Sequence, residues 1–416
     1  MNFELSAAPI LNYSILNSEL KTQNSKFKTH KLKMREAHNS KLKIQNSKLI
    51  NSKCAKRTIQ NSKFKIQNSI MLTRTECSAM RGLAIIGIFL HNYCHWLGFA
   101  VKENEYTFTM SKASNLMQAL AHPDLNLPIH LVSFFGHYGV PVFLFLSAYG
   151  LVMKYEKRGA LSPKQTNVVP FLKHHYVKLF KMMIVGFVAF TMVDAITPGS
   201  HKYHVMDILG QMFMFNNMMP DPDHVIWPGP YWFFGLMMQL YIVYRLLLWR
   251  KGDVYALLLI AVCWAMQAFC DPEGDTLNRV RYNFMGGVLP FCAGLLYARH
   301  GKKLTHGVRM TLMVISVVAV FFFSFNFQTW LWAPLFVCTA SIGIVKLLPK
   351  TVNEWIAWVG TISAALFVLH PLTRKIFIPI SRHGDVYTGL LLYIVASIAL
   401  AWFYHNFKLR NEDTKH

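Results

Sequence analysis

Three side chains able to do acid–base and anion chemistry share one apolar run: Arg81-Gly-Leu-Ala-Ile-Ile-Gly-Ile-Phe-Leu-His91-Asn-Tyr-Cys-His95. On a helix turning about 100° per residue, Arg81 and His95 fall within about 40° of one face, and His91 lies one turn from His95. The three therefore line one stripe. A lone histidine in such a run is as readily a structural hydrogen-bonder as a catalyst. Two histidines and an arginine on one stripe tilt the balance to chemistry, because ionisable groups in a bilayer are costly and usually face a cavity or a partner. A neutral imidazole takes a proton from a hydroxyl near physiological pH, and burial favours that neutral form. An arginine at the mouth of the run suits a phosphate-bearing donor.

Other polar groups recur within apolar surroundings. Phe134-Phe135-Gly136-His137-Tyr138-Gly139-Val140-Pro141 leads towards Ser147-Ala148. Its small residues suit close helix packing, and Pro141 can kink the segment and free a carbonyl; Ser147 is expected to bond its own helix. Lys173-His174-His175-Tyr176-Val177-Lys178 is basic. It reads either as a topology signal or as a grip for the phosphates of a nucleotide-like cofactor. Trp232 begins a run that contains Gln239 and Tyr241, and Gly360…Ser363…His370-Pro371 lies near the end of the chain. Gln239 and His370 need partners; aromatics at a helix start are usually interface anchors.

The elements that must position these residues are helices. The 416 residues are 53% hydrophobic and 14% aromatic, with a mean hydropathy of +0.28. Apolar stretches of about 18–22 residues recur after residue 80, each long enough to span hydrocarbon. Spans are expected near 82–100, 131–153, 179–197, 230–249, 254–270, 282–298, 308–325, 328–347, 355–376 and 386–406, with a weaker Met-rich stretch at 204–219 at the interface. The fold class is thus an all-α polytopic membrane protein of about ten transmembrane helices. Lys and Arg crowd alternate loops, among them 154–178, 250–251, 299–309 and 346–350, and also the C-terminal tail. This puts both termini in the cytoplasm by the positive-inside rule. The seven cysteines show no paired spacing and read as small core hydrophobes, with no disulfide framework and no metal site.

Residues 1–70 stand apart. They carry 14 Lys and Arg against 3 Asp and Glu, and Asn-Ser-Lys recurs at 24, 39, 46, 51 and 61 without a solenoid or heptad period. The low complexity and charge suggest disorder. Three readings compete: a basic tail touching nucleic acid or anionic lipid, an inert tail, and translated repeat DNA upstream of a true start at Met71. The abrupt change of character at Met71 favours the last. The expected division is a low-complexity tail over 1–70, a transmembrane domain over 71–407 and a short cytoplasmic tail over 408–416.

Taken in order, Arg81…His91, Gly139-Val140…Phe143…Ser147, His175-x-x-Lys178, Trp232-Phe233…Gln239-Leu240-Tyr241 and Gly360…Ser363…His370-Pro371 resemble the motifs of the bacterial membrane-bound acyltransferase family 3. The family spaces its arginine and histidine eleven apart. Here the interval to His91 is ten, with Asn92 at eleven, so His91 and His95 both stand as the base.

The resemblance implies transfer of an acyl group, usually acetyl from acetyl-CoA or another acyl-CoA, to a hydroxyl of a sugar, glycan or lipid. It implies His91, His95 and Arg81 as catalytic residues, and Arg81, Lys173, His175 and Lys178 around the CoA phosphates. Ser147, Trp232, Gln239, Tyr241 and His370 are the expected substrate-binding positions. The bilayer and a glycan or lipid acceptor are the expected partners, without nucleic acid, in the bacterial inner membrane; the sequence carries no mark of oligomeric state. The rival reading is a transporter or flippase using the same buried histidines for a proton or substrate path.

Overall fold

The structure, a computed structural model, describes residues 29, 31–36, 40, 72–157 and 167–413. The chain divides into two units, Met1–Ile70 and Met71–His416. In the first unit the described residues are helical; the repeats at 24, 46, 51 and 61 lie outside the described residues. In the second unit, the described residues form helices joined by turns, with no strand among them.

The first helix, α1 (Arg74–Cys94), begins with a capping box. Thr73 Oγ1 accepts from the Glu76 amide at 3.1 Å, and Glu76 Oε2 accepts from the Thr73 amide at 2.7 Å. The helix therefore starts two turns before Arg81, which sits inside it rather than at its edge. It also ends at Cys94, short of the expected residue 100, because Lys102 Nζ donates to the carbonyls of His95 and Leu97 and draws the chain into a turn.

Next come α2 (Met110–Ala121), α3 (Leu127–Phe135) and α4 (Gly139–Tyr155), the last two joined by a tight 3₁₀ turn, Gly136–Tyr138. The expected single span 131–153 thus has a break in it. The break falls where Pro141 withdraws the amide that would have bonded the carbonyl of residue 137.

The remaining α-helices of more than four residues are α5 (Val168–Ile196), α6 (Val205–Met212), α7 (Trp232–Val243), α8 (Asp253–Ala268), α9 (Asp275–Tyr282), α10 (Phe284–His300), α11 (His306–Phe323), α12 (Ala333–Leu347), α13 (Lys350–His383) and α14 (Val386–Asp413). Helix α14 runs on to Asp413, into the stretch expected to be a tail. All ten apolar runs read from the sequence overlap a helix, and the Met-rich stretch forms the short α6.

Among the described residues, six segments are long and apolar enough to cross a membrane: Leu127–Tyr155, Val168–Ile196, Gly229–Leu248, His306–Phe323, Lys350–His383 and Val386–Phe407. Two apolar helices, α8 and α12, are shorter. The apolar side chains explain the solvent. Along α11, Val314, Ile315, Val317, Val318 and Phe322 are exposed, as are Leu391, Val395 and Phe403 on α14. Such a continuous apolar exterior is a lipid-facing surface, and helices suit it because most of their backbone groups are satisfied within the segment. This is a multi-pass membrane protein.

The interior is built around α1 and α13. Their backbones touch: a Cβ on Gly82 would collide with the Ile356 carbonyl, and one on Gly360 with the Ser78 carbonyl. A second close approach, of Gly136 against the Gly87 carbonyl and the Cβ of His91, seats the 3₁₀ turn on the last turns of α1. Those two contacts bring α3, α4 and α13 around His91.

Candidate active site

His91 occupies the last turn of α1 and is buried. Its Nδ1 lies 2.7 Å from the Ser133 carbonyl of α3. A carbonyl only accepts, so Nδ1 carries the proton and Nε2 keeps its lone pair. That Nε2 is 3.9 Å from Glu103 Oε1.

His95, one turn on and partly exposed, bonds Glu103 Oε2 through Nδ1 at 2.7 Å. The two imidazoles are 5.5 Å apart, and the His137 ring of the 3₁₀ turn is 5.8 Å from His91. Both ring nitrogens of His137 are buried without a partner.

Glu103 reaches this point because its loop is pinned on both sides. Lys102 ties it to the end of α1, Trp330 Nε1 donates to the Asn104 carbonyl at 3.1 Å, and Arg281 Nε donates to the Glu105 carbonyl at 2.6 Å. Burial alone would raise the Glu103 carboxyl; His91 and His95 more than offset it and hold it below the usual carboxylate range. Its neighbour Glu105 goes the other way. Burial, then the Glu103 charge, pushes its carboxyl up to about 8.

These groups line a cavity of about 310 Å³, together with Asn92, Trp96, Asp223, Trp232 and Arg374. It continues past His137 into an annex of about 50 Å³ walled by Leu144, Leu236 and Pro290. The wall next to the histidines can abstract a proton in two ways. His91 offers a lone pair oriented by a backbone carbonyl; His95 offers Nε2 with a carboxylate behind Nδ1, the arrangement of an imidazole–carboxylate dyad. The donor atoms of His91, His95 and Glu103 also lie within 4.8 Å of one another, a spacing that could hold a metal ion. Two of those three residues, His95 and Glu103, are already hydrogen-bonded to each other at 2.7 Å.

Of the residues expected to be catalytic, CoA-binding or substrate-binding, His91, His95 and Trp232 meet in this cavity, and the others stand apart from its lining. Arg81 is exposed, as are Lys173 and Lys178 on α5. His175 is buried against Phe171 and Tyr241, with its ring 4.2 Å from that of Tyr241. Gln239 binds Asn283 Oδ1 and the Phe284 amide, both at 2.8 Å, and so ties α7 to the start of α10. Ser147 is half-buried on α4. His370 is fully buried and donates from Nδ1 to the Leu366 carbonyl at 3.0 Å, while its Nε2 has no partner.

Glu103, Asp223 and Arg374 escaped the sequence reading. Glu103 is an ordinary acid in a loop and Asp223 one in a single helical turn, Pro222–Val225, where periodicity carries no signal. Arg374 had a signal: it follows His370 by one turn inside an apolar helix, a costly place for a guanidinium.

Neither the curated proteins nor the solved structures compared with this chain give a match. A family model does: the acyltransferase domain of acyltransferase family 3 matches residues 76–405, from the capping box of α1 to the end of the last apolar segment. By that match, and with the membrane-spanning helices it covers, the chain belongs to this family and is a membrane enzyme that transfers acyl groups other than aminoacyl groups.

Proposed function

We propose that the protein moves an acetyl or other short acyl group from an acyl-CoA to a hydroxyl of a sugar, cell-surface glycan or lipid. In this reading the chain crosses the bacterial inner membrane ten times with both termini in the cytoplasm, as the distribution of Lys and Arg among its loops argues. The CoA phosphates meet the exposed cations Arg81, Lys173 and Lys178, with His175 behind them, at the cytoplasmic side. The acceptor hydroxyl enters the cavity.

The observation that carries the proposal is the His91 tautomer. With Nδ1–H donated to the Ser133 carbonyl, Nε2 is left as an acceptor beside a cavity. The hydroxyl proton passes to Nε2 while the oxygen attacks the thioester carbonyl. The tetrahedral adduct then collapses, breaking the carbon–sulfur bond, and the imidazolium returns its proton to the departing thiolate. His95 with Glu103 is the other candidate base. The annex beyond His137 has room for a short acyl chain and little more. The transport reading of the same histidines is not favoured by the family.

The test is transfer of label from acetyl-CoA by the purified protein, wild type against His91→Ala and His95→Ala. Loss of transfer in His91→Ala is expected. Undiminished turnover in both variants would overturn the mechanism.

A further inference from the structure

The wall of the cavity formed by α13 poses a separate question. Arg374 is 4% exposed and lines the cavity. Among the described residues no carboxylate lies within the 4.0 Å of an ion pair from it. Among the described residues its polar contacts are long: NH1 sits 3.4 Å from Asn92 Oδ1 and 3.5 Å from the Asn92 carbonyl. Its guanidinium also lies 4.7 Å from the ring centroid of Trp96. A guanidinium has five N–H donors in a fixed fork, and an isolated buried charge is expensive.

The neighbouring cations show what satisfaction looks like here. Lys375, the next residue, pairs with Asp194 at 2.9 Å. Arg281, close to the same cavity, donates to the Glu105 carbonyl at 2.6 Å and to Gln267 Oε1 at 3.0 Å. Arg382 donates to the Trp96 carbonyl at 2.8 Å and so steadies the ring against which Arg374 lies.

We infer that Arg374, held between Asn92 and Trp96, is an anion-recognition subsite, and that the acceptor carries a carboxylate or phosphate besides the hydroxyl that is acylated. This deepens the proposed function and rests on it for the word acceptor. The planar fork matches either anion with paired hydrogen bonds, and the Trp96 face supports the cation without neutralising it.

Each acid of the cavity is engaged by a neighbour or holds its own proton. Glu103 is bound to His95, and Asp223 accepts from Asn278 at 2.7 Å and from Tyr282 at 2.6 Å. Glu105 stays protonated up to about pH 8. The donor is the weaker claimant, because the exposed cations assigned to CoA lie outside the cavity lining.

The experiment measures binding, not turnover. Equilibrium binding of glucuronate against glucose, and of glycerol 3-phosphate against glycerol, is determined on the full-length protein in nanodiscs. Wild type is expected to bind at least one anionic probe about tenfold tighter than its neutral counterpart. Arg374→Gln abolishes that preference, and Arg374→Lys, which keeps the charge but not the fork, retains part of it and guards against a folding artefact.

Equal binding of charged and neutral probes by wild type would sink the inference, as would an undiminished preference in Arg374→Gln. Weaker acetyl-CoA binding in Arg374→Gln with probe preference intact would assign the cation to the donor and also overturn it. If no label from acetyl-CoA reaches any hydroxyl yet the anion preference stands and needs Arg374, the transfer reading fails and the subsite survives.

Discussion

Two polar clusters stand at opposite ends of α4, and they are built differently. At its C-terminal end, Arg299 holds Glu156 through Nε and NH2 at 2.9 and 3.0 Å, Asp253 through NH1 at 2.9 Å, and the Leu248 carbonyl at 2.9 Å. Tyr244 adds a bond to Glu156 at 3.0 Å, and His300 one to Asp253 at 2.6 Å. Every charge there has a partner. At the N-terminal end, His137 has two orphaned nitrogens, Arg374 has only long contacts, and Glu105 is an acid held near neutral pH. A closed network of this kind is a clamp: nothing further can bind without breaking it. An open one, beside a cavity, keeps hydrogen-bonding capacity for something that is not part of the chain.

The sharpest way to break this contrast is to remove one group from each cluster. His91→Ala is expected to cut acyl transfer by about 10²–10⁴-fold while leaving the melting temperature close to wild type. Labelled-acetyl transfer and thermal unfolding check both halves.

Arg299→Ala is expected to do the reverse. It strands Glu156 and Asp253 and costs about 3 kcal/mol of stability, while the protein that remains folded keeps its turnover. Should Arg299→Ala abolish transfer at constant folded protein, the closed cluster would belong to the chemistry and the contrast would fail.

Glu103→Gln sharpens the comparison within the open cluster. It removes the carboxylate behind His95 and keeps the shape, so transfer falls by about tenfold if that dyad matters. A loss equal to that of His95→Ala, absent from a His95→Ala background and still present in a His91→Ala one, would make His95 the base.

The remaining test is the pH dependence carried by Glu105. Its folded carboxyl titrates at about 8, above the 4.5 of an unperturbed one, so the folded state holds the proton more tightly. Stability therefore falls as pH rises from about 5 to 8 and levels off above. Glu105→Gln is expected to flatten that stretch of the melting-temperature profile; an unchanged slope would place the acid outside the titrating set.

Much of the helix pattern was legible. The runs that became α5, α11 and α14 are apolar on their own account and need no neighbour to be read. Thr73 and Glu76 announce the start of α1 through a spacing of three. Even the break near Pro141 follows from one residue's missing amide. The ends were less legible: α1 stops at Cys94 because Lys102, eight residues on, turns the chain with bonds that no local propensity encodes.

The site divided along the same line. His91 and His95 declared themselves by type and placement. Arg81, on the same predicted stripe, is exposed and outside the cavity lining, because helical phase states which residues share a face and not which face is covered. His175, Gln239 and Tyr241 were conspicuous polar or aromatic positions, yet their partners are one another and the neighbouring helices.

By itself, then, the sequence determined the membrane class, the helical segments and the presence of two imidazoles inside them, since all of these follow from hydrophobicity and from bonds made within a few residues. Only the tertiary structure decided what those imidazoles do. The carbonyl that sets the His91 tautomer belongs to Ser133, 42 residues away, and the guanidinium across the cavity comes from α13, which touches Asn92 from 282 residues away. Contacts at that separation are chosen by how glycine-lined helices pack and where a pinned loop folds back, and no local pattern in the chain records them.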